Sequence, residues 1–330
     1  MQAMTYDTFG AARDVLALQT IKDIAPGPGE VRVALKYSGV NPSDVKARAG
    51  SRPGVTKPPF PIVVPHSDGS GTIEAVGKGV DPDRIGEQVW IWNGQWRREF
   101  GTAASHITLP ADQAVALPAN TSLETGAVLG IPGLTACHTV FGHGDVTGKT
   151  LLVQGGAGTV GLLAVQLAKW GGARVIATAR GDGIARAQQA GADVVLDYGA
   201  ATLVDQILGA NDGNPVDHIV EVEFGANIVT STEVIAENGI ISAYGSALEM
   251  TPQLPFYPLL FKAVTIDIVL IYLLPRPERE NAIARLHHAL RDGALHCPIQ
   301  QIYPLAQCAN AHIAVEQGAR TGAILIDVQK

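Results

Sequence analysis

Over residues 1–120, apolar positions come in short runs: VRVALKYSGV, GSGTIEAVG, EQVWIWN and SHITLP. Glycine and proline separate them, as in VKARAGSRPG and TKPPFP. Short β-type runs bounded by turn residues predict an irregular β-rich domain. The pattern changes at residue 149. TLLVQ, ARVIATA, DVVLDY, DHIVEVE and IISAYG are near-continuous apolar runs, and stretches such as VGLLAVQLAKWG and IARAQQAG between them have helical character. Strands without a polar face, spaced by amphipathic helices, predict a parallel sheet covered on both sides, a doubly wound α/β domain. The most apolar stretch, VTIDIVLIYLL (264–274), predicts a buried strand. It is too short to cross a bilayer, which needs about 20 residues. After it, ERENAIARLHHALRDG and QCANAHIAVEQG predict helices and GAILIDV a closing strand.

Composition narrows the function classes. A chain of 330 residues exceeds one ordinary core, so two domains are expected. With 46% hydrophobic and 17% charged residues it is a globular chain, and its net charge of −7 disfavours nucleic acid and anionic membranes as partners. Cys137, Cys297 and Cys308 form neither a complete disulfide framework nor a C-x-x-C pair, which suits a reducing compartment. The N-terminal MQAMTYDTFG lacks the basic and apolar regions of a secretory signal, so the cytoplasm is the expected location.

The strongest chemical signal is GGAGTVG (155–161), which follows TLLVQ and opens a helix-like stretch. Gly156, Gly158 and Gly161 fit G-x-G-x-x-G. In a strand–turn–helix context this loop holds a dinucleotide pyrophosphate on free N–H groups and the positive end of the helix dipole. An NAD site places an acid at the tip of the next strand, but ARVIATARGDG has Thr178, Ala179 and Arg180 there. Arg180 can clamp a 2′-phosphate, with Arg186 as a second cation, or it is an ordinary solvated loop residue; Asp182 counts against the clamp. The expectation is NADPH over NADH.

Several motifs in order carry a family likeness: GVNPSDVKARAG (39–50), PHSDGSGTIEAVG (65–77), GAVLGIPGLTACH (126–138), LLVQGGAGTVGLLAVQLAK (151–169) and YPLAQCANAHIAVEQGARTG (303–322). Over essentially its full length the chain resembles the medium-chain dehydrogenase/reductases, most of all the NADPH-dependent quinone oxidoreductases of the zeta-crystallin-like branch. The resemblance implies a GroES-like β-rich catalytic domain from both chain ends (1–122 and 274–330) and a Rossmann NADP-binding domain between them (123–273). It implies an active site in the cleft and a homodimer in which strands such as 264–272 pair across the two-fold axis.

The resemblance also addresses metals. Zinc-dependent relatives hold a cysteine in the segment matching 40–44, a His-Glu pair at 67–68 and a cysteine near 131. Here stand Asn41-Pro42-Ser43-Asp44, Ser67-Asp68 and Ile131, poor zinc donors, so no metal is expected. The histidines, including His138 and His143, are expected to lack a set of ligand partners. His66 replaces a glycine common among relatives and reads first as a packing variant, with a local contribution to acceptor binding or proton supply as the alternative.

Without a metal to polarise a carbonyl, quinones and conjugated enals or enones suit hydride transfer, because their developing charge is delocalised. The family match puts Asn41, Asp44 and Lys46 beside the nicotinamide ribose and the substrate. Lys46 departs from a frequent tyrosine, and is either a donor to a ribose or substrate oxygen or a solvated lysine. Thr135, Gly156, Ala157, Gly158, Thr159, Val160, Arg180, Tyr198, Asn227, Tyr244, Gly245, Ser246, Ile268, Val269 and Leu270 match cofactor-contacting positions. Ser67 borders the site, and Trp92, Asn93 and Trp96 either wall the acceptor pocket or pack beneath a loop. The leading reading is a zinc-free NADPH-dependent reductase of quinones or similar conjugated carbonyls. An enoyl or enal C=C reductase, or a non-catalytic NADPH-binding protein of the crystallin kind, are its alternatives.

Overall fold

The structure, a computed structural model, describes residues 1–51 and 54–330; Arg52 and Pro53, in one of the turn-rich stretches read above, lie outside the described residues. The chain divides into two units, Met1–Ile131 with Cys297–Lys330, and Pro132–His296. The divisions differ from those expected at 122/123 and 273/274. The helix Arg276–Arg291, with Ala282, Leu286 and Ala289 buried, packs on the second unit's helix Leu134–Phe141, where the Cys137 thiol donates to the Ala282 carbonyl at 3.4 Å.

In the first unit the long strand Glu30–Val40 buries Val31, Val33 and Leu35, every second residue, as a strand with one core face must. Along one edge it pairs antiparallel with His106–Pro110 and then Ala323–Asp327; along the other it pairs with Asp68–Val76. Gln88–Ile91 and Ala114–Ala116 continue the sheet, and Ile299–Pro304 adds parallel to Ala323–Asp327. The C-terminal strand is therefore an interior member of a sheet built mainly from the N-terminal third. The helix Cys308–Glu316 buries Cys308, Ala311, His312 and Val315, the i, i+3, i+4, i+7 stripe of an amphipathic helix.

The second unit holds six parallel strands in the order Val194–Asp197, Arg174–Ala179, Thr150–Val153, Val216–Glu221, Ile235–Ala243 and Thr265–Ile268. Thr150–Val153 is buried throughout, as its unbroken apolar run requires. The strand order reverses beside it, creating the switch point at which such sheets bind ligands beyond their carboxyl ends.

The 264–274 stretch corrects the expectation of a buried strand. Only Thr265–Ile268 is strand, and it lies at the sheet edge with a single neighbour. Ile268 is 69% and Leu270 47% exposed, because among the described residues nothing covers them. Among the described residues no helix is long and apolar enough to cross a membrane.

Buried polar groups also set a pH limit. His218, inside Val216–Glu221, meets the Ser242 hydroxyl at 3.0 Å, and burial pushes its pKa down to about 3. The unfolded chain therefore binds a proton near pH 6.5 that the folded chain refuses until near pH 3. Stability from this group is complete above pH 6.5 and falls as the pH drops. The loss between pH 6.5 and pH 4 is expected to be about 3 kcal/mol. Urea titrations across that range should show a shallower pH slope in His218→Gln than in the parent chain.

Candidate active site

The dinucleotide loop is fixed by the strand beside it. Gly156 N–H donates to the Thr178 carbonyl at 2.8 Å and Gly155 N–H to Thr178 Oγ1 at 3.1 Å, while the Thr178 hydroxyl donates to Gln154 Oε1 at 2.7 Å. Neither Gln154 nor Thr178 was assigned this role from sequence, although a polar residue at the tip of each apolar strand was the available signal. A Cβ on Gly161 would lie 2.2 Å from the Gly155 carbonyl oxygen, so only glycine lets the helix Thr159–Trp170 close on the loop. A Cβ on Gly158 would meet only the Gly155 oxygen, at 3.4 Å, and otherwise enter open space. The helix has no side-chain N-cap, and Thr159 Oγ1 is buried without a hydrogen-bond partner. Open room, an uncapped helix start and an orphan hydroxyl together fit a bound pyrophosphate.

Ala157 and Val160 complete this loop. At the tips of the next two strands, Arg180 and Tyr198 are exposed neighbours, and Tyr198 N–H donates to the Ala179 carbonyl at 3.2 Å. Arg186 Nε is buried without a partner nearby in the chain, on the helix Gly183–Gln189. Asp197 accepts from Gly199 N–H at 2.8 Å. Asp182 is exposed and makes no side-chain cap on its helix.

On the other side of the switch point, Glu221 is a residue the sequence reading missed. Fully buried at the end of Val216–Glu221, it accepts from Glu223 N–H at 2.7 Å, Asn227 Nδ2 at 2.9 Å and Ser231 Oγ at 3.3 Å. Burial raises its carboxyl above the ordinary range against the pull of these donors. Glu221 thereby fixes Asn227. The Glu221 carbonyl accepts from Tyr244 N–H, the Gly245 carbonyl from Phe224 N–H, and Ser246 Oγ from Gly225 N–H. Val269 N–H donates to the Ala243 carbonyl at 2.8 Å, placing Ile268, Val269 and Leu270 at the end of the edge strand. All these predicted cofactor positions thus gather at the carboxyl ends of the parallel strands. Thr135 is buried in the helix Leu134–Phe141.

In the first unit Asn41 Nδ2 donates to Asp68 Oδ2 and Asn41 N–H to Asp44 Oδ2, both at 2.8 Å. Asp44 thereby caps the helix Pro42–Ala49. Burial first, and the Asp44 carboxylate second, push the Asp68 carboxyl well above the usual range. Ser67 is buried, and its carbonyl accepts from Gly94 N–H at 2.8 Å, drawing the buried Asn93 toward it. Trp92 Nε1–H donates to the Asp112 carbonyl at 3.2 Å, and Arg97 lies over the Trp96 ring at 5.5 Å, so residues 92–98 form a folded turn. Lys46 is exposed on its helix, outside the Asn41–Asp68 network.

The histidines have neighbours that the sequence did not bring together. His66, expected to be a packing variant without ligand partners, lies with Cys308 and His312 in one buried cluster. His143 and His138 face Asp267 at 3.0 and 3.7 Å. His66 is 246 residues from His312 and His143 is 124 from Asp267, so spacing could not reveal those pairs, although Cys308 and His312 stand one helical turn apart.

Two family models match the chain: the alcohol dehydrogenase GroES-like domain over residues 27–119 and the zinc-binding dehydrogenase domain over 159–288. Quinone oxidoreductase from Rattus norvegicus is 29% identical over 320 residues, covering 94% of this chain and 93% of that protein. The Homo sapiens quinone oxidoreductase is 28% identical over 338 residues, covering 99% and 97%. Among solved structures, a mycobacterial protein complexed with NADPH superimposes with a TM-score of 0.86 at 27% identity, covering 99% of each chain. The Pseudomonas syringae quinone oxidoreductase gives 0.84 at 26%, also covering 99% of each. With both family domains in order, a six-stranded parallel sheet ending in a dinucleotide loop, and full-length likeness to quinone oxidoreductases, the chain belongs to the medium-chain dehydrogenase/reductase family of oxidoreductases.

Proposed function

We propose that this protein is an NADPH-dependent reductase that delivers hydride to a quinone or similar conjugated carbonyl without a catalytic zinc. The cofactor part rests chiefly on the ribose end of the cradle, where Arg180 is exposed at the strand tip and Arg186 Nε is an unanswered buried donor. NADPH would supply the hydride. The chain's part is to hold the pyrophosphate at 156–160, to clamp the 2′-phosphate with Arg180, and to orient the ring through Asn227, Tyr244, Gly245 and Ser246. Asn41, Asp44, Ser67, Trp92 and Asn93 are the residues proposed to position the acceptor, and Lys46 the one proposed to donate to an oxygen at the edge of the site.

Absence of a zinc role rests on donor chemistry. At the three positions where zinc-dependent relatives hold their metal, this chain offers Ser43 and Asp44, Ser67 and Asp68, and Ile131. Of these, the two carboxylates are engaged by Asn41, one by its side chain and one by its N–H. No thiolate or imidazole is supplied by those positions, which does not suit Zn²⁺. A conjugated acceptor needs less electrophilic help, and quinone oxidoreductases are what the full-length relatives are named. Steady-state NADPH oxidation with 1,4-benzoquinone, 9,10-phenanthrenequinone and a 2-alkenal tests the reading. Turnover with the quinones supports it. Turnover confined to the alkenal favours a C=C reductase, and NADPH binding without turnover favours a non-catalytic role.

A homodimer is the proposed assembly. Phe261 is 81%, Ile268 69% and Tyr257 68% exposed around an edge strand with one free side, a patch too apolar to leave in water. Ile268→Asp is expected to shift the protein to a monomer in light-scattering-coupled gel filtration. An unchanged mass would exclude this edge as the interface.

A further inference from the structure

The buried cluster around His66 has the makings of a metal site. Three potential ligand atoms, one on each of His66, Cys308 and His312, lie within 4.8 Å of one another, and the side chains are 1%, 0% and 0% exposed. Cys308 and His312 are one turn apart on the buried stripe of the helix Cys308–Glu316, so they present to the same side. His66 arrives from the segment before Asp68–Val76, with its Nε2 at 2.8 Å from His312 Nε2 and 3.9 Å from Cys308 Sγ.

The hydrogen bonds decide which His66 nitrogen carries the proton. Thr102 Oγ1 must donate to the Asp68 carbonyl, at 2.5 Å, so it can only accept from Ser38 Oγ, at 2.8 Å. Ser38, having spent its proton there, must accept from His66 Nδ1, also at 2.8 Å. His66 is thus the Nδ1–H tautomer, and its Nε2 lone pair faces His312 and Cys308. This is the tautomer a metal ligand needs, held by the outer hydrogen bond that such ligands usually have.

Backbone strain adds a second observation. His66 has φ 77°, in the left-handed region where a non-glycine residue costs about 1–2 kcal/mol. Glycine would relieve that strain, yet the chain keeps an imidazole there and buries it. His312 Nδ1 is also buried without a partner. A core built only for packing would favour neither feature.

From this geometry we infer that His66, Cys308 and His312 form a buried binding site for a thiophilic divalent ion of the zinc type, separate from the positions where zinc-dependent relatives hold their metal. On binding, the Cys308 thiol releases its proton to solvent. The His312 proton moves from Nε2 to the unpartnered Nδ1, freeing Nε2 for the ion. Zinc–nitrogen bonds of about 2.0–2.1 Å in a tetrahedral arrangement separate two ligand nitrogens by about 3.4 Å, so the imidazoles part by roughly half an ångström. Arg48, which also faces the cluster, is answered by Glu316, and the Asp44 carboxylate faces Cys308 as well. The ion would tie the C-terminal helix to the N-terminal sheet across 246 residues of sequence.

Because the ligands are buried, the ion is taken up during folding. The test refolds the full chain from denaturant with Zn²⁺, then dialyses it against a weak chelator and measures metal by mass spectrometry. About one zinc per chain is expected in the parent protein, with at least tenfold weaker retention in Cys308→Ser and His312→Gln. His66→Gly guards against misfolding, since it removes the strain; it should fold without metal and still retain zinc at least tenfold less tightly. Refolding with Co²⁺ should give a near-ultraviolet thiolate-to-cobalt band that persists in Cys137→Ser and Cys297→Ser. No zinc in the folded parent protein, no thiolate band, or zinc retained equally by His66→Gly would each overturn the assignment.

Discussion

Gly158→Ala is expected to weaken NADPH binding at least 100-fold while leaving the melting temperature unchanged. The reason is the asymmetry between two glycines three residues apart. A methyl group on Gly158 enters open space and touches only the Gly155 oxygen at 3.4 Å, so the fold has nothing to lose. That space is where a pyrophosphate must approach the backbone. Gly161→Ala makes the contrasting case, because its Cβ would stand 2.2 Å from the Gly155 carbonyl oxygen and 3.0 Å from Gly156 Cα. Backbone atoms cannot step aside as a flexible side chain can, so stability should fall by about 1–3 kcal/mol along with binding. A 100-fold loss corresponds to about 2.7 kcal/mol of binding free energy. Fluorescence titration with NADPH and thermal unfolding of both variants provide the check. Wild-type affinity in Gly158→Ala would show that the loop is only a structural turn.

Arg180→Ala is expected to lower kcat/KM for NADPH by about 100-fold and to leave the NADH value within about twofold. A charge-assisted contact to a phosphate contributes about 1.5–3 kcal/mol, and NADH has no 2′-phosphate to lose it. Arg186→Ala should give a smaller loss of the same kind. Its Nε is buried, on the helix Gly183–Gln189 that follows Arg180, so it can reinforce the same anion. Preference should also decline with ionic strength, since Arg180 is exposed to solvent. Equal losses for the two cofactors would assign Arg180 to general stability, and no loss would assign it to solvent.

Much of the architecture was legible in the pattern of residues. Near-continuous apolar runs marked the parallel strands from 150 onward, and the short β-type run VRVALKYSGV marked the strand Glu30–Val40. The loop GGAGTVG announced its chemistry because glycine spacing constrains backbone geometry directly. Less was legible where a position depends on what lies beside it. VTIDIVLIYLL reads as buried because it is apolar, yet only the sheet order reveals an edge strand with one neighbour and Ile268 exposed. Glu221 looks like any acid until its three donors from residues 223, 227 and 231 are in place.

His66 shows the division most clearly. Local sequence placed His66, Ser67 and Asp68 side by side in PHSDGSG, but could not say what each side chain meets. Tertiary structure alone decided what His66 meets: Ser38 on one nitrogen, and His312 with Cys308 near the other. Periodicity and spacing report contacts that repeat within a turn or a strand. Contacts across 246 residues are set by strand pairing and helix docking, here by the closing strand Ala323–Asp327 beside Glu30–Val40 and the helix Cys308–Glu316 that precedes it.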